Sequence, residues 1–522
     1  MFLVSSFLML FILLYLFMNH YNFWSKKRVK EGDIKTMLTD NLQILLGSQH
    51  LSVMIQRVYD QHHDVRYVGM YQFLRPVLVV KCPDLIKEIC VKNFDNFQDH
   101  KNVLSETAEE IWFKNLLVLK GETWKKMRST ISPSFTSSKM RSMFNIMNNN
   151  SEAFVEHFLK KKEEIITLEM KDVLTRYTTS LIANSTLGLK VDSLEDRENE
   201  YYKMGSEAID SSSLRRKSVL VVYQLIPTIA DFLRIQLFGE HVTSFFANIV
   251  ADTIKFREEQ CIENSDVLGL LLEARKKQHC KKQTTEYKET KYKDENFSKS
   301  NCIDLDLTDI GIASQLFIFA IGSFETISTS LSFLVYELAV NPDVQDKLIE
   351  EIDEINICEN VPSYEKILKM EYMEMVVSEN LRKWPVNVAT DRVTTKPHTI
   401  APKHPGEFAL HLEENTSIMI PIFAIHHDPK YHKNPEKFDP ERFSGENRRK
   451  MVPYSYLPFG IGPRFCIGSR FALLAIKVLI FHLLSHFVIV PVEKTQIPIR
   501  LSKNSFSITA EDGFFVGLKR RN

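Results

Sequence analysis

The stretch Phe459-Gly-Ile-Gly-Pro-Arg-Phe-Cys-Ile-Gly468 decides how the chain is read. It sets one cysteine, Cys466, in a glycine-bracketed loop two residues after Arg464, and a long apolar run, Phe471 to Phe487, follows at once. Gly460, Gly462 and Pro463 predict a tight, preset turn, and Gly468 lets backbone come close to something flat and bulky. A thiolate at 466 would sit at the start of the next helix, whose partial positive end favours the deprotonated form. A turn with a buried, inert cysteine is the plain alternative, because most lone cysteines are that. The spacing argues against it. Phe-x-x-Gly-x-Arg-x-Cys-x-Gly recurs by chance on the order of once in a million windows, against roughly 500 in this chain.

This pattern resembles the haem-ligand loop of the cytochrome P-450 superfamily, in which the cysteine thiolate is the axial ligand of haem iron. The resemblance implies a mostly α fold with minor β-sheets, haem b as cofactor, and Cys466 as the metal ligand. It also implies that Phe459 and Gly468 lie against the cofactor and that Arg464 and Arg392 hold its propionates. Upstream, Trp124-Lys-Lys-Met-Arg128 places Trp124 and Arg128 four apart on one helical face, so an indole N–H and a guanidinium can grip one anion. In the family a matching pair holds the propionates, and His100 stands where another such contact is common.

A second segment tests that reading. The apolar run Ile312 to Phe319 leads into Ala320-Ile-Gly-Ser-Phe-Glu-Thr-Ile-Ser328, in a helix predicted from the cap residue Thr308 to about Val340, where Asn341-Pro342 stops it. An acid and an alcohol, Glu325 and Thr326, are costly in mid-helix among apolar residues unless they are used. Thr326 can bond back to the Gly322 carbonyl and open a local groove. The segment resembles the oxygen-activation helix of the superfamily, which makes Glu325 and Thr326 the catalytic proton-handling pair. Ser323 and Ile327 depart from the family pattern, where a second glycine and a second hydroxyl are usual; the expectation is weaker coupling of reducing equivalents to product.

A third pattern, Glu379-Asn-Leu-Arg382 with Pro440-Glu-Arg-Phe443, matches the family's buried ion network of Glu379, Arg382 and Arg442. His426-His-Asp428 has no further ligands at supporting spacing and reads as a structural turn. Segments matching the family's pocket walls supply Ile111, Trp112, Phe319, Phe324, Val388, Ala389, Phe514 and Phe515, each of which core packing would explain as well.

Composition bounds the rest. The 66 basic and 66 acidic residues cancel, so no global field favours nucleic acid as a partner. The seven cysteines are odd in number, scattered and without a Cys-x-x-Cys pair, which argues against a disulfide framework or structural zinc and for a reducing compartment. Met1 to Met18 carries no charged side chain and approaches the length of a spanning helix; Trp24 and then Lys26, Lys27, Arg28 and Lys30 follow as an interfacial aromatic and a cytoplasmic flank. The organisation expected is a transmembrane signal-anchor at 1–19, a connection at 20–50 lacking the family's usual prolines, and one haem-thiolate catalytic domain at 51–522. Leu225 to Phe246 reads as an apolar lid at the bilayer surface or as core, 274–300 as a solvated loop, and 496–521 as a terminal hairpin.

The texture of Ile131 to Met140 and Glu337 to Pro342 resembles insect microsomal members of the xenobiotic type. The resemblance implies a monooxygenase of the endoplasmic reticulum membrane, its body on the cytosolic face. It would insert oxygen into lipophilic small molecules with electrons from NADPH through a reductase, or from a cytochrome b-type donor, and Lys126, Arg128, Arg470 and Lys477 would dock that partner. A haem-thiolate isomerase or dehydratase, and a non-catalytic haem or ligand binder, are the alternatives.

Overall fold

The computed structural model describes residues 21–73, 75–102, 104, 109–210, 213–262, 266–278, 305–358, 362–505 and 507–521. The anchor read at 1–19 and most of the charged loop read at 274–300 lie outside them. The described chain is mostly helical with three small sheets.

The N-terminal part contains α1 (Ile34–Leu45), α2 (Leu51–Asp60) and the hairpin β1 (Tyr67–Gln72) and β2 (Arg75–Val80). A short helix, Pro83–Lys87, has Pro83 in its first turn and changes at Glu88 into a π-helical turn, Glu88–Lys92. Next come α3 (Gly121–Ile131), α4 (Ser137–Leu159), β3 (Ile165–Glu169), α5 (Met170–Leu187), α6 (Glu200–Ile209), α7 (Leu214–Leu225), α8 (Pro227–Phe232) and α9 (Glu240–Glu259). The C-terminal half holds α10 (Asp309–Val340), α11 (Pro342–Cys358), α12 (Glu371–Lys383), β4 (Thr390–Val393), β5 (His398–Ile400), β6 (Leu410–Leu412), β7 (Ser417–Ile420), α13 (Ile422–His426), α14 (Ser469–His486), β8 (Phe487–Val490) and β9 (Phe515–Arg520).

The core is built on α10, which packs along α5 and α9 and buries most of its length. Thr308 caps it by accepting the Gly311 N–H at 3.3 Å. Both α10 and α14 are apolar and long enough to cross a membrane, but each is mostly buried inside the protein, as core helices are. The largest sheet runs β1-β2-β7-β4, with β2 and β7 parallel; this delivers Arg392, on β4, to the Cys466 loop.

Two expectations are corrected here. Trp24, read as an interfacial aromatic, is fully buried: its indole N–H donates to the Met70 carbonyl at 3.1 Å, and its ring lies against Gly69. The segment read as a connection is therefore packed on β1, where Asn41 also bonds the Tyr71 carbonyl at 3.1 Å. The terminal hairpin is reduced to one bridge, Leu501 with Ala510, because β9 pairs instead with β3 and β8. That choice satisfies both edges of β9, one of which a lone hairpin would leave open.

Candidate active site

The Cys466 loop is fixed from within. Gly460 and Gly462 adopt φ of 73° and 74°, the left-handed region glycine enters freely. The Cys466 N–H donates to the Phe459 carbonyl at 2.9 Å, and the Gly460 N–H to the Leu457 carbonyl at 3.0 Å. Gly462 admits no side chain, since a Cβ there would lie 2.0 Å from the Cys90 carbonyl oxygen of the π-helical turn. Cys466 is an exposed residue of this loop. Burial pushes its thiol pKa up, while the Gly468 N–H and the Arg128 charge pull it down. The loop thus places two groups that favour an anion beside the sulfur, with burial opposing them and prevailing.

The basic residues divide differently from their sequence grouping. Trp124 and Arg128 both lie on α3, as read, but each has its own ring–cation partner. The cation over the Trp124 ring is Arg464, 4.0 Å from the centroid, while Arg128 lies over Phe465 at 4.9 Å, beside Cys466. Arg464 is held by the carbonyls of Gln98 (2.7 Å) and Leu119 (2.7 Å) and by Asp99 (3.2 Å), and burial pushes its pKa down to about 10. Arg392 donates to the Ile461 carbonyl at 2.9 Å and has a buried Nε without a partner among the described residues. The His100 Nδ1 is taken by Asp391 at 2.9 Å, and the other Asp391 oxygen accepts the Lys101 N–H at 2.7 Å. His100 therefore positions β4.

In α10, a helix buried over most of its length, Phe319, Gly322, Ser323 and Thr326 form a partly accessible stripe at helical spacing. Thr326 Oγ1 donates to the Gly322 carbonyl at 2.7 Å. Phe135 joins this stripe to α14, its ring 5.9 Å from that of Phe319 and its carbonyl accepting from Arg470 at 3.5 Å. Consecutive helical residues point about 100° apart, so Glu325 leaves the stripe. Its carboxylate meets Lys171 of α5 at 3.1 Å, and the same ammonium bonds Ser328 at 2.9 Å and Thr329. Burial lowers the Lys171 pKa, with Glu325 opposing. Ile327 is turned into the core, so a hydroxyl at 327 would not reach the stripe.

Some residues read as pocket walls are core. Phe324 is buried edge-on against Tyr201 at 5.8 Å, over Gly205 of α6, and Phe514 edge-on against Phe333 at 4.8 Å. Ile111 is buried, and its carbonyl accepts the Ser314 hydroxyl of α10 at 2.5 Å. Val388 is buried too, and its carbonyl accepts the Phe423 N–H at 2.9 Å. Phe319, Trp112, Ala389 and Phe515 are half-buried, with Trp112 on Phe238 at 5.3 Å. Lys477, read as part of an exposed basic patch, is buried and paired with Glu374 at 2.8 Å.

Behind the loop, Glu379 accepts from Arg382 Nε (2.8 Å) and Nη2 (2.9 Å), from the Asp439 N–H (3.0 Å) and from Arg442 Nε (3.3 Å). The His426–Asp428 turn carries no metal grouping among the described residues. Sequence reasoning passed over Lys171, as well as Gln315, whose amide oxygen accepts the Leu116 N–H at 2.9 Å and so pins the segment after Trp112 to α10. Neither carries a motif; a buried polar residue on an apolar helix was the available signal for Gln315.

A haem fits these surroundings. Side chains built at Gly322, Gly460 and Gly468 would meet nothing within 4 Å, so both α10 and the Cys466 loop keep open room for a bulky group. The unpartnered Arg392 Nε supplies a donor for an acidic group at its edge.

Comparison with known proteins agrees with this geometry. The cytochrome P450 family profile matches residues 37–515. Cytochrome P450 9e2 of Blattella germanica is 38% identical over 96% of this chain and 94% of its own length. The probable cytochrome P450 9f2 of Drosophila melanogaster is 35% identical, covering 89% and 88%, and cytochrome P450 6k1 of Blattella germanica is 32% identical, covering 94% and 92%. With the family profile matched over most of its length and a buried Glu-x-x-Arg network behind its cysteine loop, the chain belongs to the cytochrome P450 family, as a monooxygenase akin to the insect members.

Proposed function

We propose that the protein inserts one oxygen atom of dioxygen into lipophilic small molecules at the endoplasmic reticulum membrane. Its electrons come from NADPH through a membrane-bound reductase or a cytochrome b-type donor. The observation that carries this is an exposed Cys466 in a loop fixed by backbone hydrogen bonds, with the Gly468 N–H and Arg128 beside its thiol, together with the Thr326 hydroxyl bonded to the Gly322 carbonyl of α10. Bound haem supplies the dioxygen chemistry, with the Cys466 thiolate donating electron density to iron. The chain supplies the rest. Gly468 N–H and Arg128 favour the thiolate against the effect of burial, and Arg392 and Arg464 would hold the acidic groups of the cofactor. Thr326 holds its hydroxyl at the groove, and Glu325, steadied by Lys171, supplies protons to it from the α5 side. Foreign compounds, such as plant toxins and insecticides, and endogenous lipids are the substrate classes an apolar wall of Phe319 and Trp112 accommodates.

Reconstitution with a reductase and a panel of lipophilic compounds tests this reading. NADPH-dependent product is expected; turnover that proceeds without NADPH or reductase would replace it with an isomerase or dehydratase. Lys171→Met refines it. With Glu325 unanchored, product formed per NADPH consumed should fall several-fold and the solvent isotope effect should rise, while an unchanged ratio would remove Glu325 from proton delivery.

The membrane side of the proposal rests on α8 and its flanks. Ile226, Ile229 and Leu233 are exposed, and Phe232 is 86% exposed. Each such side chain gains on the order of 2 kcal/mol when buried, so the group is stable against lipid and costly in water. A fluorophore placed by Leu233→Cys in the full-length chain on vesicles should be quenched by bromine-labelled lipid, and Phe232→Asp should abolish most of that quenching. Equal quenching in both would detach α8 from the bilayer.

A further inference from the structure

Between the buried Glu379 network and the Cys466 loop stands one imidazole. His426, at the end of α13, is fully buried. Its Nδ1 lies 3.0 Å from the Arg382 carbonyl, and its Nε2 accepts the Leu457 N–H at 2.8 Å. The two contacts fix one tautomer, with the proton on Nδ1 and the lone pair on Nε2. Arg382 returns the contact, donating from Nη1 to the His426 carbonyl at 3.1 Å. The ring stacks on Tyr456 at 5.5 Å, whose hydroxyl donates to the Ser378 carbonyl at 3.1 Å. Residues 456 and 457 are therefore fastened to α12 at two points one helical turn apart. From Leu457 the next fixed links are its carbonyl to the Gly460 N–H and the Phe459 carbonyl to the Cys466 N–H.

We propose that His426 is a positioning residue for the monooxygenase: a neutral imidazole clip that transmits the position of Arg382 to Leu457 and so sets the seat of the Cys466 sulfur. The inference rests on Cys466 being the iron ligand. An imidazolium would have no acceptor for the Leu457 N–H, and the surroundings oppose one. Burial holds His426 well below the usual histidine range, and the facing groups His432, Arg382 and His427 push it further the same way. His432 reinforces the strap, its Nε2 lying 3.1 Å from the Ser455 carbonyl. His427 does not, since its Nδ1 bonds the Phe423 carbonyl one turn back in its own helix at 2.9 Å.

The test compares His426→Gln, His426→Asn, His426→Phe and His427→Phe in the full-length holoenzyme. The readout is the rate at which the ferrous carbon-monoxide complex converts from the thiolate-type to the non-thiolate spectrum, with the reduction potential of the haem recorded alongside. Glutamine can place an oxygen near the Nε2 position and keep the Leu457 bond, whereas asparagine reaches only the Nδ1 position. Asparagine and phenylalanine should therefore speed conversion about tenfold or more, as loss of a hydrogen bond to a buried donor implies. Glutamine should restore most of the difference, and His427→Phe should match wild type. A variant that merely loosened packing would not separate glutamine from asparagine, so equal rates for those two, or wild-type rates for phenylalanine, overturn the proposal. If phenylalanine fails to fold, the glutamine–asparagine comparison decides alone. A thiolate-type spectrum in Cys466→Ser would instead refute the ligand assignment beneath it.

Discussion

Cys466→Ser is expected to give a folded protein without a thiolate-type carbon-monoxide spectrum and without measurable NADPH-dependent oxygenation. The loop itself should survive, because the hydrogen bonds that shape it use the backbone of residue 466 and the φ of Gly460 and Gly462, none of which serine alters. What serine removes is an acidic, polarisable ligand. The Gly468 N–H and Arg128 favour an anion at 466 against the opposing effect of burial. Burial still outweighs them and holds Cys466 above the ordinary thiol pKa of about 8.5, so metal binding would have to complete the deprotonation, which it can for a thiol and cannot for an alcohol. Losing the electron donation of the thiolate should lower turnover at least about a thousandfold, about 4 kcal/mol in the barrier. Circular dichroism and the carbon-monoxide difference spectrum measured on one sample separate the outcomes. A retained thiolate-type spectrum, or oxygenation within tenfold of wild type, would mean that another group binds the iron.

How the site could be read from sequence follows from which interactions are local. The Cys466 turn and the Thr308 cap were legible because each is decided within a few residues, by φ or by a cap hydroxyl. The Thr326 bond to Gly322 was legible for the same reason, being one helical turn long. Glu325 was half legible: its presence in an apolar helix marked it as used, but its partner Lys171 lies 154 positions away and no periodicity connects them. Trp24 failed differently. An aromatic followed by basic residues fits an interface and a buried indole equally well, and what decided was the Met70 carbonyl and the open face of Gly69, 46 and 45 positions on. Lys477 and Phe514 show the same limit, since charge and aromatic character say nothing about which face of the chain a neighbour will cover. The resemblance supplied the order of the parts. The contacts that set their function are long-range, and only the fold discloses them.

Glu379→Ala should have the largest effect on stability, and the geometry says why it exceeds Arg442→Ala. Glu379 and Arg382 have fully buried side chains, and the Glu379 carboxylate takes four donors: two from Arg382, one from Arg442 and the Asp439 N–H. Deleting it leaves the Arg382 charge in the interior with only carbonyls around it, a loss of roughly 3–5 kcal/mol. Net stability of a folded domain is only about 5–15 kcal/mol, so a large share disappears at once. Arg442 is 11% exposed, sits at the longer 3.3 Å contact, and also bonds the Lys433 carbonyl at 2.8 Å near solvent. Its loss leaves Glu379 still satisfied by Arg382 and should cost about 1–2 kcal/mol. Arg382→Ala together with Glu379→Ala should be less harmful than the sum of the two, with a coupling of about 1–3 kcal/mol, because the pair removes both charges while each single variant strands one. Urea unfolding of the four holoproteins measures the cycle. Additive losses, or a Glu379→Ala protein within about 1 kcal/mol of wild type, would show that the network is relieved by water or by movement of α12. Because Arg382 also holds His426, the Glu379→Ala protein that does fold should convert to the non-thiolate spectrum faster than the Arg442→Ala protein, so damage to the lock should register at the sulfur in the order in which it reaches Arg382.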